Sequence, residues 1–309
     1  MILRKRLPAA ALAVALLSTG MLGLSVGEVM AKERPVISKG DHAYIALQVQ
    51  NAMSRHAYYH AAGMNLEEVD HLWVSRTGPN AKTATFASPI WVMSGIETVR
   101  NAYGKENQAN REKALKAIQK VVPDLKFEEA NLGAGHEWAM HTNTTPIIEV
   151  AGDGKTAKGV WYSPGMGLMA SVQGDDAPIN SVFFWEKYAG DFILEDGKWK
   201  IWHLQMAYDF TPGLPKEMTD AFALINGELD AAEESGPMRE AGERMASLPP
   251  GFLKPAYSYP IYSPARPGLI YPRLPEPYYT FSETFSYCNC DETSRPDNSA
   301  TMGIVALKD

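Results

Sequence analysis

The spacing of apolar and polar positions divides this chain into stretches of different character. Residues 41–62, DHAYIALQVQNAMSRHAYYHAA, place apolar side chains at near-helical intervals, which predicts a long amphipathic helix with Asp41 as its N-cap and an end before Gly63. A shorter helix follows in LEEVDHLWVS, capped by Asn65, with Leu66, Val69, Leu72 and Trp73 on one face. After the Gly78-Pro79 break, TATFASPIWVMSG has strand character, and residues 95–121 read as a further helix stopped by Pro123. The period then shifts toward alternation. Residues 137–150 and 156–163 are strand-like runs joined by Gly152-Asp153-Gly154. Residues 181–194 and 198–210 are longer runs joined by Glu195-Asp196-Gly197, and both junctions carry the Asp-Gly signature of a hairpin. Helices followed by a meandering antiparallel sheet predict an α+β domain with one sheet face laid on the helices.

The two ends of the chain add other features. Residues 213–248 read as an acidic helical extension broken at Gly236-Pro237, and residues 249–309 as an arm and tail. Within the arm, residues 249–279 are too rich in proline for a helix or a central strand, and their tyrosines imply packing on the chain's own domain or on a partner subunit. Residues 1–31 combine a basic start at Arg4, Lys5 and Arg6 with an apolar run and small residues at Val29 and Ala31. This reads as a Sec-type signal peptide, with export to the periplasm or beyond the cell and no stable membrane insertion after cleavage; an uncleaved anchor is the other reading. A net charge of −7 with no basic patch gives no reason to expect nucleic-acid binding. The only two cysteines, Cys288 and Cys290, cannot frame a disulfide-rich fold and make a poor metal site, so they bridge each other or bridge chains.

Three pieces in order, the first helix with its tyrosines and histidines, HTNTTPIIEVAGDGKTAKGVWY and WEKYAGDFILEDGKWKIWHLQM, resemble the SnoaL-like branch of the nuclear transport factor 2 fold over residues 41–212. The resemblance implies a cone-like domain in which a curved antiparallel or mixed sheet wraps around helices and encloses an apolar pocket. It also implies a lyase or isomerase without a cofactor, of dehydratase or formaldehyde-eliminating type, which the reading of residues 1–31 makes an exported one. The expected substrate is a small hydrophobic molecule with aromatic or polycyclic rings, and the expected assembly a homo-oligomer formed through the open sheet face. A non-catalytic binding or assembly protein of the same fold is the alternative.

Such chemistry needs a base and a hydrogen-bond donor. The resemblance points to His141, just before the strand ending in Val150 to Asp153, as the catalytic histidine, with Tyr58 or Tyr59 from the first helix as donor. His56 and His60 share a face of that helix, and His60 is a candidate base or relay. The helix carries no carboxylate where dehydratase relatives place one, and Asp209 on the last strand is the candidate replacement. Alternation along the strand groups Phe184, Glu186 and Tyr188 on one face; with Trp161 and Trp91 they are the candidate substrate contacts. The His-x-x-x-His pair lacks a third ligand in sequence, so no metal is expected.

Overall fold

Ser38, not Asp41, begins the first helix. In the computed structural model, which describes residues 34–106, scattered positions between 109 and 128, 138–170, 179–210, 248–257 and 270–294, helix α1 spans Lys39–Ala61. The Ser38 hydroxyl accepts the Asp41 N–H at 3.0 Å and donates to the Asp41 carboxylate at 2.7 Å. Asp41 therefore sits in the first turn, where its charge suits the helix dipole, instead of capping it. Gly63 at φ 66° ends the helix as predicted. Helix α2 (Asn65–Leu72) has Met64 at its N-cap, because the Asn65 side chain turns toward His60 instead of capping. The third predicted helix changes pitch: α3 (Ile96–Val99) runs directly into a π-helical turn, Arg100–Glu106.

Among the described residues the sheet has eight strands: β1 (Thr85–Ala87), β2 (Val92–Ser94), β3 (Trp138–His141), β4 (Thr144–Val150), β5 (Thr156–Ala170), β6 (Ile179–Glu195), β7 (Lys198–Phe210) and β8 (Phe252–Leu253). Their order is β3-β5-β6-β7-β1-β2-β8, with β4 also on β5. The predicted strand 137–150 breaks at Thr142 and Asn143, and its two halves share the same edge of β5. The β1 to β7 pairing is parallel, which makes the sheet mixed. The β6-β7 hairpin turns on Asp196 (φ 49°) and Gly197 (φ 72°), the positive pair that a tight right-twisted hairpin requires.

Alternation gives this sheet two buried faces. On the inner face Trp161, Tyr188, Phe192 and Leu204 pack with Val49 and Met53 of α1 and Val69, Leu72 and Trp73 at α2 in one core. On the outer face Val160 and Ala189 are covered by Phe285 and Tyr287 of the C-terminal arm. The described arm residues thus pack on their own domain, the short strand β8 by extending the sheet at β2. Cys288 and Cys290 are joined to each other. No described helix is long and apolar enough to cross a membrane. The segments read as signal peptide (1–31) and helical extension (213–248), and residues 258–269 of the arm, lie almost wholly outside the described residues.

The β6-β7 turn offers a test of this register. A Cβ at Gly197 meets nothing within 4 Å, so only its backbone conformation resists substitution. Gly197→Ala is expected to lower stability by about 1 kcal/mol, read as a lower urea midpoint at unchanged slope.

Candidate active site

Three imidazoles meet inside the cone. His56 and His60 lie four residues apart at the C-terminal end of α1, where helical spacing stacks them on one face. Their ring centroids are 5.9 Å apart, and His141 from the end of β3 lies 5.5 Å from His56 and 4.9 Å from His60. Tyr188 of β6 completes the group, stacked on His141 at 5.4 Å with 13° between the planes and edge-on to His56 at 5.2 Å. Gly165 permits the approach from the sheet. It pairs across strands with both His141 and Phe184, and a Cβ there would come within 2.7 Å of the His141 Cβ and 2.4 Å of the Phe184 ring.

A carboxylate anchors the group from α2. Glu68 is fully buried, and its Oε1 lies 2.8 Å from His56 Nδ1 and accepts the Trp73 indole N–H at 3.3 Å. Its Oε2 accepts the Tyr103 hydroxyl at 2.7 Å. Tyr103 comes from the π-helical turn, and its oxygen lies 2.9 Å from His60 Nδ1, which also faces the Asn65 amide nitrogen at 3.3 Å. On the sheet side, His141 Nδ1 lies 2.9 Å from the Ser163 hydroxyl.

Burial sets the proton states. Desolvation, with His60 and His56 nearby, holds the His141 pKa well below the usual histidine range, so the ring is neutral near pH 7. Burial first, and then Glu68, pushes the Tyr103 phenol well above its usual value; burial and Glu186 do the same to Tyr188. Both phenols keep their protons. His56 Nε2 and His141 Nε2 are buried without a hydrogen-bond partner, although buried polar atoms are ordinarily satisfied.

Of the residues singled out in the sequence, His141 and His60 belong to this cluster. Phe184, Glu186 and Tyr188 share the inner face of β6, and all three are buried. Trp161 is buried in the core, with its N–H held by Gln50 at 2.7 Å. Trp91 packs edge-on against Phe86 and Phe252. Tyr58 does not reach the site: it is 81% exposed, because the helical turn that points His56 and His60 inward points it outward. Tyr59 stacks on His71 instead. Asp209 is paired with Lys187 at 2.8 Å, on the face opposite Glu186 and Tyr188, so the carboxylate serving the histidines is Glu68.

Glu68, Tyr103 and Ser163 were missed, and His56 was noted without a role. Glu68 falls between Asn65 and Leu72 on the buried side of its helix, and a carboxylate on an apolar helix face was the available signal. Tyr103 had none, since the π-helical pitch that aims it is not visible in the spacing.

Among the described residues, three donors of metal-binding type converge within 4.8 Å only at Cys288, Cys290 and Asp291, where the sulfurs are already bonded together. A separate pocket of about 250 Å³ lies against the outer face, lined by Tyr162, Lys187, Tyr271 and Leu274 among others, and shares none of the three histidines.

A family model described as a SnoaL-like domain matches residues 44–205, more than half of the chain. The chain belongs to the SnoaL-like domain family. A search of curated proteins finds no match for it. Solved structures similar to this SnoaL-like protein include a proposed scytalone dehydratase from Novosphingobium aromaticivorans, 10% identical, covering 58% of this chain and 93% of that one with a TM-score of 0.40. A nuclear transport factor 2-like superfamily protein from Salmonella enterica serovar Typhimurium is 11% identical, covering 56% and 97% at 0.37. A type 3 hexachlorocyclohexane dehydrochlorinase from Novosphingobium barchaimii is 14% identical, covering 57% and 97% at 0.36.

The neutral His141 gives this SnoaL-like domain a defined pH response. Below about pH 6.5 the unfolded chain protonates this residue while the folded chain resists, so the unfolded state binds more protons. The associated stability is present above that pH and is lost as pH falls toward the lowered folded value. His141→Asn is expected to flatten the stability profile below about pH 6.5, measured by urea unfolding at each pH.

Proposed function

We propose that this protein is a cofactor-independent lyase or isomerase in which His56 removes a proton from carbon while His141 stabilises the charge that develops. What supports this reading is the pair of buried, unpartnered imidazole nitrogens, one of them on a ring backed by a buried carboxylate. With its Nδ1–H directed at Glu68, His56 keeps its lone pair on Nε2, and the positive charge it gains as a base is balanced by that carboxylate. His141 is neutral and carries one N–H. With Ser163 donating to Nδ1, that proton sits on Nε2, ready to hydrogen-bond an oxyanion or a leaving oxygen.

The C–H electron pair then moves toward a carbonyl or expels a leaving group. Loss of water and double-bond migration share this step; in loss of formaldehyde His56 instead takes the hydroxyl proton of a CH2OH group, and the C–C electron pair moves to the conjugated carbonyl. The aromatic surroundings from Tyr188, Phe184 and Tyr103 suit a hydrophobic, ring-containing substrate. Export through residues 1–31 is part of the same proposal, supported by the basic start, apolar run and small residues there.

A panel of ring-containing β-hydroxy ketones and unsaturated ketones, followed by ultraviolet absorbance, tests the proposal. His56→Ala is expected to lower kcat by about 10²-fold to 10⁴-fold, and Glu68→Gln to lower it by less. Tyr58→Phe, altering an exposed residue, is expected to leave kcat unchanged. Binding of the same compounds without turnover by the native chain would replace the enzyme reading with that of a binding protein.

A further inference from the structure

The outer face of the sheet carries a second buried cluster that the proposed chemistry does not use. Lys158 of β5 and Asp191 of β6 are both fully buried and form an ion pair at 2.5 Å. Neither is covered by the sheet itself. The Lys158 ammonium lies 4.7 Å from the Phe281 ring centroid, 4.5 Å from Phe285, 5.0 Å from Tyr287 and 5.9 Å from Tyr278, all arm residues. Asp191 accepts the Tyr287 backbone N–H at 2.8 Å and the Ser286 hydroxyl at 3.2 Å, and its Oδ2 also faces His203 Nδ1 at 2.8 Å. The arm thus supplies both the aromatic surround of the cation and two of the donors to the anion.

The next three residues pin this contact. Cys288 and Cys290 are bonded across the single residue Asn289, which is held at φ 48°. From that left-handed conformation Asn289 makes three bonds to a different segment. Its carbonyl accepts the Ala256 N–H, its side-chain oxygen accepts the Tyr257 N–H and its amide donates to the Tyr257 carbonyl, each at 2.9 Å. The Ser286 hydroxyl also accepts the Cys288 N–H at 3.0 Å. Non-glycine residues adopt such a φ at a conformational cost, so the closed ring holds in place a geometry that an open one would leave.

We propose that residues 284–290 form a redox-released cover over the Lys158–Asp191 pair, with the Cys288–Cys290 disulfide as its latch. Cys288 is buried and Cys290 is exposed, so a dithiol reductant enters at Cys290. One of its thiolates bonds to the Cys290 sulfur, the disulfide breaks, and Cys288 leaves as a thiolate that takes up a proton. The second thiol of the reductant then closes on the first, freeing Cys290 as a thiol. The protein gains two electrons and two protons, and the dithiol becomes a disulfide. Asn289 then relaxes, the arm lets go of Asp191, and the ion pair opens to water. The neighbouring arm residues stay attached, because the Tyr278 and Tyr279 carbonyls accept the Gly152 and Asp153 N–H groups at 2.9 and 3.0 Å.

The full chain has no other cysteine, so dithiothreitol acts on this bond alone. Hydrogen exchange read by mass spectrometry, before and after its addition, is expected to show at least a tenfold gain in exchange over residues 284–290. Exchange in β5 to β7 and at Gly152 and Asp153 should not change. Lys158 should become open to an amine-acylating reagent after reduction. The double variant Cys288→Ser with Cys290→Ser should show the reduced pattern with or without dithiothreitol. Unchanged exchange in the arm would overturn the proposal, as would a loss of protection throughout the sheet, which would make the bond a support of the whole fold. None of these readouts depends on the turnover proposed for the histidine site.

Discussion

The carboxylate of Glu68 is the constraint around which the interior is arranged. It lies wholly out of water, where an ionised group is tolerated only with partners for its lone pairs. The three groups around it come from three places: His56 from α1, Trp73 from the end of α2 and Tyr103 from the π-helical turn. The demand for partners at one side chain therefore fixes how the helical elements sit against one another. Removing one partner of a buried charge typically costs about 3–5 kcal/mol, so the same contacts that orient His56 also hold the helices together. Stability and the direction of an imidazole lone pair are set by one group.

The sheet repeats this pattern with the faces reversed. Along β6, Glu186 and Tyr188 face the helices while Lys187 and Asp191 face away, so one strand delivers carboxylates to two separate surroundings. On the inner face Glu186 meets the Tyr188 phenol. The outer face meets Asp191 with Lys158, His203 and the arm. A sheet buried on both sides by polar as well as apolar groups explains the arm's aromatic richness: its rings lie against both apolar positions and a cation.

Much of the frame was legible because it rests on local rules. The Glu195-Asp196-Gly197 turn was visible since few residue pairs accept two positive φ angles, and Gly63 marked the end of α1 for a similar reason. Periodicity also grouped Phe184, Glu186 and Tyr188 correctly on one face. It could not say which of two adjacent tyrosines turns inward, because that depends on where the sheet lies relative to the helix. Tyr58 and Asp209 were misplaced for this reason, their partners being set by tertiary packing. Glu68 is not legible from the first helix, because the fold brings the carboxylate from the second, twelve residues beyond His56.

The π-helical turn at Arg100–Glu106 makes segment length matter as much as residue identity. Such a turn holds one residue more than an α-helix would over the same rise, and it is the extra residue that swings Tyr103 onto Glu68. Deleting a single position ahead of Tyr103 in the turn would rotate the residues beyond the cut by about 100° about the helix axis. Gly104, whose Cβ would lie 3.1 Å from Leu66, would then no longer present its bare side to α2. An in-frame loss of one codon here would remove the bridge that Tyr103 makes between His60 and the carboxylate.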